Sequence, residues 1–198
     1  MEIVDLDPDS DVDRLFVITG GPGSGKSSLV DALAGHGIST MPEVGRAIIQ
    51  DQMAIGGEAL PWSDRRAFAE LMLGWEIRSY RAALKITALK STGLEIKAPV
   101  IFDRGVPDVL GYLRLCNLTV PAHVEKAARV FRYHRRVFIA PPWPDIFTMD
   151  AERKQSFEEA KATYEMMIET YSALGYDLIP LPLVPVQERL QFVLAAVG

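Results

Sequence analysis

The stretch Leu15-Phe16-Val17-Ile18-Thr19-Gly20-Gly21-Pro22-Gly23-Ser24-Gly25-Lys26-Ser27 decides the fold. Its first five residues are almost wholly apolar and rich in β-branched side chains, as expected of a parallel strand covered on both faces. The next eight fit G-x-x-x-x-G-K-[ST] in full. At average residue usage a chance match in a chain of this length has odds on the order of one in a hundred. The flanking pattern lowers those odds, because Leu29, Val30 and Leu33 then fall at helical spacing until Gly35 and Gly37. Strand, glycine loop and helix in that order predict a phosphate-binding loop.

Each residue type in the loop has a chemical reason. Glycines permit positive φ and carry no side chain, so successive backbone N–H groups can turn inward around a phosphate chain at the positive end of the helix. Lys26 adds a mobile positive charge for the β- and γ-phosphates, and Ser27 offers an oxygen to Mg²⁺. Nucleotide binding is accordingly assigned to Gly21, Pro22, Gly23, Ser24, Gly25, Lys26, Ser27 and Ser28. ATP is favoured over GTP, since no Asn-Lys-x-Asp sequence is present to read guanine.

Outward from the loop, short apolar runs alternate with helical patterns. Strands are expected at 38–41, 99–102, 136–140 and 177–181, and helices at 43–53, 64–89, 106–115, 121–131, 150–174 and 186–197. Phe68, Leu71, Met72, Trp75 and Leu84 mark one broad face of the first long helix. The alternation predicts an α/β fold of three layers, a parallel sheet with helices on both faces. Residues 1–13, with five aspartates and one glutamate, read as a loosely docked acidic arm, and 14–198 as one domain.

Composition removes several function classes. A net charge of −5 argues against a basic surface for tracking nucleic-acid phosphates. The one cysteine, Cys116, cannot form an internal disulfide, and the acidic start lacks the features of a signal peptide. No apolar run reaches the roughly 20 residues that span a bilayer. A cytoplasmic location without integral membrane association is expected, with room for a protein partner.

Asp103 ends the apolar run Val100-Ile101-Phe102. That places a carboxylate at the carboxyl edge of the sheet, where open α/β sheets bind ligands and where a P-loop site holds Mg²⁺. Asp103 could also cap the following helix, a compatible role. Arg104, beside it, could stabilise charge on a transferred group or pair with a nearby acid.

These motifs resemble the small-molecule kinases of the nucleoside and nucleotide kinase group: the loop at 20–27, the pair Asp103-Arg104, and the acid Glu43 after the second strand. More narrowly, residues 41–46, 100–108 and 152–160 look like a group of bacterial predicted ATPases related to the kinase domain of NadR-type ribosylnicotinamide kinases. The resemblance implies a five-stranded sheet of order 2-3-1-4-5, a lid before the last strand, and separate nucleotide and acceptor sites. It implies catalytic roles for Lys26, Glu43, Asp103, Arg104 and the lid residue Arg153, and acceptor contacts for Glu43, Arg46 and Asp108. On residue type alone, Glu43 could equally be a first-turn helix acid, Arg46 its partner, and Arg153 solvated surface charge.

Two functions therefore stand side by side. One is transfer of the ATP γ-phosphoryl group to a nucleoside-like or other small metabolite. The other is an NTPase switch or nucleotide sensor acting through a protein partner.

Overall fold

The computed structural model describes residues 12–90, 99–147 and 156–198. Its frame is a parallel five-stranded sheet of order β2-β3-β1-β4-β5. The strands are β1 (Leu15–Gly20), β2 (Ser39–Met41), β3 (Val100–Asp103), β4 (Arg136–Ala140) and β5 (Asp177–Pro180). The helices are α1 (Lys26–Gly35), α2 (Val44–Ile55), α3 (Arg65–Lys90), α4 (Val106–Leu115), α5 (Ala122–Val130), α6 (Phe157–Ala173) and α7 (Val186–Val197).

Alternation along the central strands feeds two cores, because successive strand side chains point to opposite faces. Leu15, Val17, Val100, Phe102, Val137 and Ile139 pack with buried residues of α3, α4, α5 and α6. Phe16, Ile18, Ile101 and Phe138 face the other way, onto Leu29 and Leu33 of α1 and Leu190 and Val193 of α7. All six residues of β1 are buried, the reason its sequence reads as a continuous apolar run. In register, Ile18 of β1 stands beside Asp103 of β3 and Phe138 of β4. The carboxyl ends of the three central strands thus finish together, at the level where the glycine loop begins.

Two expectations need correction. Leu71 and Trp75 of α3 are exposed, at 41% and 36% of their surface. The buried stripe runs instead through Phe68, Ala69, Leu73, Glu76, Ser79, Tyr80, Ala83 and Thr87. Small and polar residues share that stripe with Phe68, Leu73 and Tyr80, so apolar size alone is a poor guide to the inner face. The second correction concerns α6, expected from residue 150. It begins at Phe157, because Ser156 takes an extended conformation and closes a capping box: Glu159 N–H donates to Ser156 Oγ at 3.2 Å, and Ser156 N–H to Glu159 Oε2 at 2.6 Å. Arg153, expected as a lid residue, lies outside the described residues, as do residues 1–11 of the acidic arm.

Candidate functional site

The loop leaves β1 and enters α1 through glycines that the backbone requires. Gly23 (φ 71°) and Gly25 (φ 75°) both occupy the left-handed region, and Gly25 is the residue on which α1 starts. No side chain caps α1 and its first turn holds no acid, so the positive end of the helix is left to the loop. Lys26 is only 6% exposed and folds back over the loop, donating from Nζ to the Gly21 carbonyl at 2.6 Å and to Ser24 Oγ at 3.4 Å. Burial, reinforced by the Arg104 charge, pulls its pKa down to about 8 against the pull of Asp103, Glu43 and Asp108.

Asp103, at the end of β3, brings a carboxylate under this loop. Its Oδ2 accepts from Ser27 Oγ at 3.5 Å, while Oδ1 is buried without a hydrogen-bond partner. Burial pushes the Asp103 carboxyl up to about 6, with Lys26 opposing that shift and Glu43 adding to it. A buried carboxylate oxygen with no protein donor, beside a serine hydroxyl at the start of a phosphate loop, suits a hard divalent cation. Ser27 and Asp103 fit Mg²⁺ on that ground.

Arg104 follows with φ 76°, a left-handed conformation uncommon outside glycine. Two carboxylates hold it there. Nε donates to Glu43 Oε1 at 3.2 Å and Nη1 to Asp108 Oδ1 at 3.0 Å. Burial works against the guanidinium charge, but Glu43, Asp108 and Asp103 outweigh it and the pKa rises above the usual arginine value. For Glu43 the balance falls the same way: burial favours the neutral acid, yet Arg104, Lys26 and Arg46 together keep its pKa below the ordinary one.

Asp108, expected as an acceptor contact, lines a cavity shared with the phosphate loop, and its carboxylate is engaged by the protein itself. Its carboxylate takes hydrogen bonds from Thr19 Oγ1 at 2.6 Å, Tyr171 OH at 2.6 Å, Gly105 N–H at 3.0 Å and Arg104. A carboxylate offers about four acceptor sites, so this one is filled by the protein and serves to hold Arg104.

These groups face one cavity of about 1170 Å³. Residues 22–28 of the loop line one end; Glu43, Arg46 and Gln50 of the α2 region, Phe68, Met72 and Glu76 of α3, Arg104, Asp108 and Tyr112, and Thr163 and Met167 of α6 line the rest. Lys26, Ser27, Ser28, Glu43, Arg46, Arg104 and Asp108 are thus brought to a common space, with Asp103 beneath Ser27.

Sequence reasoning missed Glu76, Thr19, Tyr171 and Arg189. Glu76 is 3% exposed, and burial together with the Asp108 charge raises its pKa well above the ordinary glutamate value. Phe68, Met72 and Glu76 recur every fourth residue, so a charged residue in phase with an apolar face was the available signal. Arg189 gave a similar one, in phase with Val193 on α7.

A glycine loop between β1 and α1, a strand-end carboxylate under it and a 2-3-1-4-5 parallel sheet define a P-loop kinase-like domain. The chain belongs to an AAA domain family, whose model matches residues 15–189. Thymidylate kinase from Ehrlichia chaffeensis shares the fold with a TM-score of 0.60, at 12% identity over 93% of this chain and 98% of that one. Deoxyadenosine kinase from M. mycoides, solved with products dCMP and dCDP, gives 0.58 at 12% identity over 92% and 98%. The NadR protein in complex with NR gives 0.58 at 15% identity, covering 94% of this chain and 51% of that one. No curated protein matches by sequence. Among the described residues no helix is long and apolar enough to cross a membrane.

Proposed function

We propose that this protein is an ATP-dependent phosphotransferase acting on a hydroxyl of a nucleoside-like or other small metabolite. The observation that carries this reading is the meeting of Glu43, Arg104 and Lys26 on one large cavity that continues past the phosphate loop to α2, α3 and α6. A nucleotide hydrolase needs room for a triphosphate and a water; this cavity has further walls of Ile49, Phe68, Met72 and Tyr112 suited to an organic acceptor.

Bound ATP with Mg²⁺ would supply the phosphoryl group and neutralise part of its charge, held by residues 21–28 and by Ser27 with Asp103. Glu43, kept ionised by Arg104, Lys26 and Arg46, accepts the proton of the acceptor hydroxyl at a carboxylate oxygen. Arg104 and Lys26, both largely buried, place fixed positive charge where the transferred group gains negative charge. Arg46 lines the same cavity and is suited to an anionic part of the acceptor.

The switch reading draws on one observation, the exposed apolar Met53, Ile55 and Trp62 at and beside the cavity mouth, which suit a protein partner. Thermal stability separates the two. Mg²⁺–ATP should raise the melting temperature, and one member of a panel of nucleosides and phosphorylated metabolites should raise it further and release ADP. A shift with nucleotide and none with any acceptor would favour the switch; no nucleotide shift at all, or a Lys26→Ala variant that still shifts fully, would refute both.

A further inference from the structure

Arg189 is the fourth residue of α7 and only 2% exposed. It stands against the phosphate loop, where its Nη1 donates to the Ser24 carbonyl at 3.0 Å. The fit is tight: a Cβ added to Gly25 would lie 2.7 Å from Nη1 and 3.0 Å from Ile146 Cδ1. The Trp143 ring stands with its centroid 5.9 Å from the guanidinium carbon. Nε and Nη2 are buried with no hydrogen-bond partner, and among the described residues no carboxylate pairs with this cation.

As a stabilising element this is poor design. A buried cation with two unused donors costs free energy that an apolar side chain of similar volume would not. Burial accordingly pulls its pKa below the usual arginine value. What Arg189 does hold is one carbonyl of the loop. In a planar trans peptide the C=O and N–H point in opposite directions, and no peptide bond among the described residues is cis. Tying the Ser24 carbonyl to Arg189 therefore turns the Gly25 N–H away from α7. Gly25 lines the cavity, and an N–H directed there is a donor to an anion at the positive end of α1.

We infer that Arg189 is a positioning residue for nucleotide binding: it fixes the Ser24–Gly25 peptide in the orientation that presents its N–H to the phosphate chain, at the expense of the stability of the free protein. The inference rests on the reading of residues 20–27 as a nucleoside triphosphate site. Catalytic contact is not part of it, since Arg189 acts through the loop backbone.

The experiment compares the full-length wild type, Arg189→Met and Arg189→Lys by titration with Mg²⁺–ATP and by thermal melting without nucleotide. Methionine fills the space with no donor, while lysine keeps a donor for the Ser24 carbonyl even as a neutral amine. Arg189→Met should bind at least about tenfold more weakly, the loss of one charge-assisted anchor, yet melt at or above the wild-type temperature. Arg189→Lys should recover affinity to within about threefold of wild type, because a single donor suffices. Wild-type affinity in Arg189→Met overturns the inference and leaves the nucleotide reading intact. A fall in both affinity and melting temperature in Arg189→Met, with neither regained in Arg189→Lys, also overturns it, since plain packing would do that. A wild-type protein that binds no nucleotide overturns both.

Discussion

Arg104 Nε stands 3.2 Å from Glu43 Oε1, tying the residue after β3 to the residue before α2. The guanidinium reaches across because Arg104 takes a left-handed backbone conformation, which costs about 1–3 kcal/mol in a residue with a Cβ. The pairs to Glu43 and Asp108 offset that cost. Together they fix two opposite charges at the base of the cavity before any ligand arrives, the kind of preorganisation on which electrostatic catalysis depends.

Glu43→Gln keeps a hydrogen-bond acceptor for Arg104 and removes the basic oxygen. Mg²⁺–ATP affinity should stay within about threefold, while ADP release with the acceptor should fall by about 10²–10⁴, the usual contribution of a positioned base. Unchanged turnover in this variant would rule Glu43 out as the proton acceptor.

Tyr171→Phe tests the support behind Arg104. Its hydroxyl is one of the four donors that Asp108 receives, and the side chain is fully buried. Loss of a hydrogen bond to a buried charged group should cost about 1.5–3 kcal/mol in denaturant unfolding. Turnover should fall with it as Arg104 gains freedom. A stability change under about 0.5 kcal/mol would mean that the remaining three donors hold Asp108 unaided.

Much of this architecture was legible because it rests on local pattern. The 15–19 run is continuous since β1 is covered on both faces, and residues 20–27 are diagnostic since the backbone needs positive φ at Gly23 and Gly25. Asp103 was readable from its place at a strand end. The network behind the site was not. Thr19, Asp108 and Tyr171 meet through contacts spanning up to 89 residues, and their types are equally at home in any core. Glu76 and Arg189 sat within helices whose apolar residues drew attention to amphipathicity rather than to the one charge turned inward. Leu71 and Trp75 misled for the complementary reason: size and hydrophobicity do not fix a face when alanine, serine and threonine share the buried stripe with Phe68, Leu73 and Tyr80.

Glu76→Gln should make the protein less sensitive to alkaline pH. The folded state holds this carboxyl protonated well above its ordinary 4.5, whereas the unfolded chain ionises there. Above pH 4.5 the folded state therefore binds more protons at this group than the unfolded chain does, and the stability this group contributes falls as pH rises through that range. Glutamine has no proton to lose. Urea melts at pH 5 and pH 8 should show the variant gaining on wild type at the higher pH; equal slopes for the two proteins would mean that Glu76 ionises normally in the fold.

Asp103→Asn separates the cost of this carboxylate from its use. Burial raises its pKa from the ordinary 3.8 to about 6, so between those values the folded state binds more protons than the unfolded one. Stability due to this group is thus highest in acid and is lost as pH rises through about 6. Without nucleotide, Asp103→Asn should match wild type near pH 4 and exceed it above pH 7 by on the order of 2 kcal/mol. Mg²⁺ works in the opposite sense, because only the ionised carboxylate, with its otherwise unpartnered oxygen, attracts the cation. The extra nucleotide affinity that Mg²⁺ confers on wild type should fade as pH drops below about 6 and be absent from Asp103→Asn at every pH. A stability difference that does not change with pH would show that Asp103 does not titrate in this window. Mg²⁺-dependent affinity retained in the variant would remove Asp103 from the cation site, leaving Ser27 to act with some other oxygen.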